Sequence, residues 1–266
     1  MNRALLVLSF FISYEATAVE IIAHRGYSCG APENTVRSVE YAWLAGADGV
    51  ELDLRVSRDS VMFLYHDDNI NGRPIAQMDY AQIVSHRQEN APKLTEVLGL
   101  GDPPGYFVLD LKESDPAKYQ SLPLLISESG IDESRFTFQS TRIEVLASLK
   151  DLLPGARLYY LSHLKRRFPL YRTPGPERIL AVVDGFGIDG LSLKGRQFLD
   201  ERFVRKIKKA GYRVNIWTIN DPVRATFYRN LGIDGLITDL VEDIRSDAIE
   251  GAPFGERCLR GAADAS

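Results

Sequence analysis

The chain has 266 residues, 45% of them apolar and 26% charged, which suits one large globular domain and excludes a disordered or fibrous chain. A formal net charge of −4 argues against nonspecific binding to nucleic acid or to an anionic membrane surface, while leaving room for a local basic pocket that takes phosphate. The two cysteines, Cys29 and Cys258, lack metal-binding spacing; they fit either one disulfide tying the tail to an early loop or two independent thiols.

Residues 1–18 read as an export signal. Asn2 and Arg3 give a weakly positive start, and ALLVLSFFIS over 4–13 is apolar but too short to span a bilayer as a helix. Ala16, Thr17 and Ala18 then form an A-x-A-like cleavage site, which predicts a mature chain beginning at Val19 and export to a periplasm or the outside. The alternative is a first buried helix or strand. No other stretch is long and apolar enough for a stable membrane span.

Strand-like and helix-like segments alternate from there to the end. Strands are expected at 20–23, 49–56, 61–65, 106–111, 135–138, 157–161, 187–193, 213–218 and 235–238. Most are continuous apolar runs, the pattern of a parallel sheet covered on both faces. Helical patterns cover 36–44 after a polar start at Asn34 and Thr35, 198–210 ending at Gly211, 222–230 and 241–249. The repeat predicts an α/β fold, a (β/α)8 TIM barrel over 19–250, with a short insertion after the second strand and a peripheral tail at 251–266. The run at 61–65 is the second half of a long bent strand, or a hairpin. Residues 67–92 read as irregular and polar. An open doubly wound sheet is the runner-up, weakened because no glycine-rich nucleotide fingerprint follows any strand.

In such a barrel the chemistry gathers at the C-terminal strand ends. The polar residues there are His24, Arg25, Glu51, Asp53, His66, Asp110, Lys112, Gln139, Ser162, Lys194, Trp217 and Asn220. Glu51 and Asp53 stand two apart in a strand, so both side chains point to one face and repel unless a cation sits between them. Asp110 and Lys112 repeat the alternation; they could serve the same site or simply pair with each other. Three carboxylates could hold a divalent cation through oxygen ligands, as Ca2+ or Mg2+ require. Arg25 and Lys112 supply positive charge for a phosphate. Two histidines, a side-chain type suited to proton transfer, can act as acid and base. Taken singly, a histidine at a strand end is more often structural than catalytic, and a Glu-x-Asp pair is more often a solvated face. His86, inside the insertion, and His163, after the fifth barrel strand, read as surface residues, His163 near enough to the rim for a minor substrate contact.

Taken together and in order, HRG at 24–26, PENT at 32–35, ELD at 51–53, HD at 66–67 and LDLK at 109–112 resemble the glycerophosphodiester phosphodiesterase family. APKLTEVL at 91–98, NIWTIND at 215–221 and GIDGLITD at 232–239 agree, so the resemblance runs from about Ile21 to about Ile244. It implies a barrel with a metal at the strand ends and hydrolysis of a small-molecule glycerophosphodiester to glycerol 3-phosphate and an alcohol. His24 and His66 then take the acid–base roles, with His66 the acid for the leaving alcohol. Glu51, Asp53 and Asp110 match metal ligands, Asp110 standing where the family usually has Glu. Arg25 and Lys112 match phosphate-binding positions, and Trp217 would wall the substrate. Glu33 and Asn34 of the PENT motif would support the site, Glu33 by touching the metal or orienting Arg25. The loop DDNINGRPIAQ after His66 lacks the Arg-Thr-Thr run often found there, which leaves the head-group preference open. Two alternatives are a phospholipase D-like enzyme acting on a lysophospholipid or sphingolipid, and a non-catalytic exported protein that binds phosphodiesters.

Overall fold

The computed structural model describes residues 18–87, 91–163, 175–196 and 199–245. Most of the expected signal segment, the 251–266 tail and Cys258 lie outside the described residues.

The chain opens with β1 (Glu20–Ala23), α1 (Val36–Leu44) and β2 (Gly49–Val56). A hairpin strand β3 (Met62–Leu64) and the short pair β4 (Asn69–Ile70) and β5 (Arg73–Pro74) follow, then α2 (Tyr80–Arg87) and α3 (Leu94–Leu98). Strand and helix then alternate: β6 (Tyr106–Leu111), α4 (Leu122–Ser129), β7 (Phe136–Ser140), α5 (Ile143–Leu149), β8 (Arg157–Ser162) and α6 (Pro176–Val183). The series ends with β9 (Gly190–Lys194), α7 (Glu201–Lys209), β10 (Arg213–Trp217), α8 (Pro222–Asn230), β11 (Gly235–Thr238) and α9 (Val241–Arg245).

β1, β2, β6, β7, β8, β9, β10 and β11 form the barrel, each parallel to its neighbours. β1 pairs with both β11 and β2, which closes the sheet and removes its edges. That closure excludes the open doubly wound alternative. β3 folds back antiparallel on the outer end of β2, with Leu54 opposite Leu64 and Val56 opposite Met62, so the 61–65 run is a hairpin.

Alternation along each strand sorts the side chains. Leu52, Leu54, Leu109, Phe136, Leu191 and Ile216 are buried between barrel and helices in the main core. Each such side chain contributes about 1.5–3 kcal/mol by leaving water. The barrel's inside is filled by Ile22, Tyr106, Val108 and Ile237, with Trp217 packed on top. Glycine makes room for the large rings. A methyl group on Gly49 or Gly190 would sit 2.9 or 2.6 Å from the ring of Tyr106 or Tyr159.

Several boundaries differ from the sequence reading. The seventh strand begins at Phe136, because Asp132 caps a 3-10 turn over Glu133–Arg135. β9 starts at Gly190 and reaches Lys194, and α7 starts at Glu201, where the Asp200 side chain accepts from the Phe203 N–H. The stretch 67–92 is not simply irregular. It carries β4, β5 and α2 around a small apolar cluster of Phe63, Ile70, Ile75, Met78, Ile83 and Ala91. Those apolar residues are scattered among polar ones, so no single period announced them. Among the described residues, no helix is long and apolar enough to cross a membrane.

Candidate active site

β2 aims Glu51, Asp53 and Arg55 to the inner face, and β6 aims Asp110 beside them, since Asp53 and Asp110 are register partners. Glu51, Asp53 and Asp110 are all buried, and each offers an oxygen within 4.8 Å of the others. Their compensation is uneven. Asp53 accepts from Lys112 Nζ at 2.7 Å and Asn34 Nδ2 at 2.8 Å, and lies 3.3 Å from Arg25 Nε. Asp110 bonds to the same Lys112 ammonium. Glu51 has the backbone N–H of Arg25 at 3.0 Å and Gln139 Nε2 at 3.5 Å.

The charges respond accordingly. Burial, joined by the charge of Asp53, pushes the Glu51 carboxyl up to about 8. Burial also raises Asp110, beyond what Lys112 offsets. For Asp53, burial pushes upward, but Lys112 and Arg25 outweigh it and the net shift is down. A nest of buried carboxylates with two members, Glu51 and Asp110, under-compensated is the donor set a hard divalent cation fits.

The His24 turn is tightly built. Arg25 and Asn34 both take left-handed backbone conformations, at φ +57° and +58°, unusual for residues other than glycine. This turn points the Arg25 N–H at Glu51 and lets Asn34 N–H donate to the Arg25 carbonyl at 2.8 Å. Gly26 follows at φ +78°, and a methyl group there would lie 2.2 Å from Ser38 Oγ. Ser38 in turn completes a capping box with Thr35 that starts α1.

His24 Nδ1 lies 2.7 Å from Asp239 Oδ1. An ionised carboxylate only accepts, so Nδ1 carries the proton and Nε2 is left for chemistry. Asp239 accepts from Asn220 Nδ2 at 2.5 Å, and Asn220 Oδ1 accepts from the Asp239 N–H at 2.9 Å. Burial pulls the His24 imidazole down, but the Asp239 hydrogen bond and the Glu51 charge outweigh it, so its pKa is raised. Burial raises Asp239, and the His24 hydrogen bond and charge more than reverse that.

His66 stands at the end of β3. Its Nδ1 meets Asp67 Oδ1 at 2.9 Å, and its backbone carbonyl accepts from Arg55 Nη2 at 2.9 Å. Across the barrel, Lys194 Nζ lies 5.4 Å above the Trp217 ring, and His163 meets that ring edge-on at 5.1 Å.

These residues line one cavity of about 660 Å³. His24, Arg25, Glu51, Asp53, His66, Asp110, Lys112 and Trp217 all border it, as do Gln139, His163 and Lys194. Glu33 and Asn34 do not. Both Glu33 oxygens accept from Arg25 Nη1 at 3.0 Å, so Glu33 touches Arg25. Asn34 is buried and braces Asp53 at both its side chain and its N–H. Lys112 bonds to Asp53 and Asp110, the pairing that the alternation left open. His86 is exposed on α2 and is not among the lining residues. Asp239 and Arg55 escaped the sequence reading. Asp239 ends a barrel strand in ITD, which was a usable signal, but nothing in the sequence pairs it with a residue 215 positions away.

Residues 24–243 match the model of the glycerophosphoryl diester phosphodiesterase family. The chain belongs to that family. A glycerophosphodiester phosphodiesterase of Bacillus altitudinis is 42% identical over 240 residues, covering 83% of this chain and 94% of the relative. Glycerophosphodiester phosphodiesterase 1 of Homo sapiens is 26% identical over 269 residues, covering 85% of this chain and 79% of the relative. Among solved structures, an Oleispira antarctica phosphodiesterase in complex with the product sn-glycerol-3-phosphate superposes with a TM-score of 0.71 at 25% identity, covering 88% of this chain and 98% of that one. The cavity described above is therefore that of a phosphodiesterase.

Proposed function

We propose that this phosphodiesterase hydrolyses small glycerophosphodiesters to glycerol 3-phosphate and an alcohol, with a divalent cation, Ca2+ or Mg2+, held by Glu51, Asp53 and Asp110. The observation that carries this reading is the meeting, in one cavity, of three buried carboxylates and two histidines whose Nδ1 atoms each face a carboxylate. The product held by the Oleispira relative supports the substrate class. When bound, the cation supplies charge stabilisation to the phosphoryl oxygens.

The chain's own groups do the rest. Arg25 and Lys112 add positive charge at the phosphate, and Trp217 walls the organic end of the substrate. His24, its Nδ1–H committed to Asp239, takes a proton at Nε2 from the attacking oxygen as that oxygen bonds to phosphorus. His66, its Nδ1–H facing Asp67, gives its Nε2 proton to the departing alcohol oxygen as the old P–O bond breaks. The attacking oxygen is that of water or of the substrate's own neighbouring glycerol hydroxyl, which would give a cyclic phosphate first.

The test is release of glycerol 3-phosphate from glycerophosphocholine, with and without EDTA, and with Mg2+ or Ca2+ restored. Release abolished by EDTA and restored by metal is the expected result. No release from this or other short diesters would move the reading to a lipid substrate, and to a binding protein if lipids also failed. Glu51→Gln should raise the metal concentration needed for half-maximal rate and lower activity together, and an unchanged metal dependence would remove Glu51 from the ligand set.

We also propose that residues 1–18 direct export and that the mature barrel starts at Val19. The apolar run and the A-x-A-like site support it. N-terminal sequencing of the exported protein should begin at Val19.

A further inference from the structure

Arg55 continues the inner face of β2 two residues beyond Asp53, and it is only 8% exposed. A buried guanidinium is costly unless it is paired and hydrogen-bonded. Its partners are specific: Nη1 donates to Glu113 at 3.2 Å, and Nη2 donates to the backbone carbonyl of His66 at 2.9 Å. Glu113 gives a firm anchor, because it follows Lys112 at the end of β6 and its N–H donates to the hydroxyl of buried Tyr119 at 2.9 Å. The guanidinium thus ties the end of the β3 hairpin to the end of β6. His66 needs such a hold. Its side chain is 40% exposed, and the Asp67 carboxylate that meets it is 63% exposed, so that pair by itself fixes little. The last sheet bond on this side, from the Tyr65 N–H to the Asp53 carbonyl at 3.0 Å, stops one residue short of it.

We propose that Arg55, anchored by Glu113, is a positioning residue that holds the His66 backbone so that its imidazole delivers a proton to the leaving alcohol. The inference rests on the reading of His66 as the general acid. Removing Arg55 then affects the reaction only as far as the departing group needs that proton. An alkoxide leaves poorly unprotonated, whereas p-nitrophenolate is stable enough to leave without help.

The experiment compares wild type, Arg55→Met, Arg55→Lys and His66→Ala on glycerophosphocholine and on the p-nitrophenyl ester of glycerol 3-phosphate. Arg55→Met should lose about tenfold or more on the choline ester and less than about threefold on the nitrophenyl ester, a fraction of the full acid contribution. Arg55→Lys, which keeps an N–H for the carbonyl, should recover part of the loss. The ratio of the two rates in one preparation cancels the fraction folded, so a destabilised variant still reports. If Arg55→Met does not accumulate, Arg55→Lys carries the test with a smaller change in the same ratio. Equal losses on both esters in the Arg55 variants, beside an unequal loss in His66→Ala, would overturn the positioning role and leave His66 as the acid. Equal losses in His66→Ala itself would overturn the acid assignment and the proposal with it.

Discussion

The two histidines face the same cavity but are held in opposite ways. His24 is 18% exposed at its side chain and bonds to Asp239, which is itself fixed by Asn220 from the loop after β10. His66 is more open and bonds to its own sequence neighbour, while a buried arginine holds its backbone. One histidine is locked by a side-chain relay across the seam where the barrel closes. The other hangs from a hairpin outside the barrel. A relay that fixes tautomer and charge suits a base that must receive a proton. A hairpin-borne group near solvent suits an acid that reprotonates after each turnover.

That contrast can be broken by substitution. The largest effects belong to the histidines: His24→Ala and His66→Ala should each lower kcat on alkyl diesters by about 10³-fold. Steady-state rates of glycerol 3-phosphate release check this, and near-normal rates in both variants would sink the assignment. Next comes Asp239→Asn, which should cost roughly tenfold to hundredfold by losing the hold on the His24 tautomer. Its pH profile carries a sign. As a base, His24 works unprotonated, and the Asp239 bond helps raise its pKa against burial. Removing that carboxylate lowers the pKa, so the acidic limb of kcat/KM should move to lower pH. A limb that stays in place would detach His24 from it.

Asp67→Asn tests the other side and should be milder. Asp67 is largely exposed, and water replaces much of what its carboxylate gives His66, so a loss of about threefold is expected. A loss as deep as that of Asp239→Asn would erase the asymmetry between the two histidines. His86→Ala, on the exposed face of α2, should leave rates unchanged within assay error. A drop there would mean that the insertion contributes to the cavity in a way its position on α2 does not explain.

Much of this was legible in the chain. The continuous apolar runs announced buried parallel strands, and the i, i+2 spacing within the Glu51–Asp53 and Asp110–Lys112 pairs put each pair on one face of its strand by the pleat alone. His66 beside Asp67 needed no fold to pair them. What was hidden depends on long-range closure or on backbone contacts. Asp239 reaches His24 only because β11 pairs with β1. The same spacing puts Arg55 on the face of Glu51 and Asp53, but its partner is a backbone carbonyl, which carries no mark in a sequence. The left-handed turn at Arg25 likewise has no signature beyond the glycine that follows it. The insertion's small core was missed because its apolar residues are spread over a hairpin, a turn and a helix that share no period.

The most direct test of the account is a crystal structure of the mature protein with Mg2+ or Ca2+ and glycerol 3-phosphate. The expected result is a cation bound by Glu51, Asp53 and Asp110, with the phosphate beside Arg25 and Lys112 and both histidines within hydrogen-bond reach of its oxygens. A cation bound elsewhere, or a phosphate out of reach of His24 and His66, would contradict it.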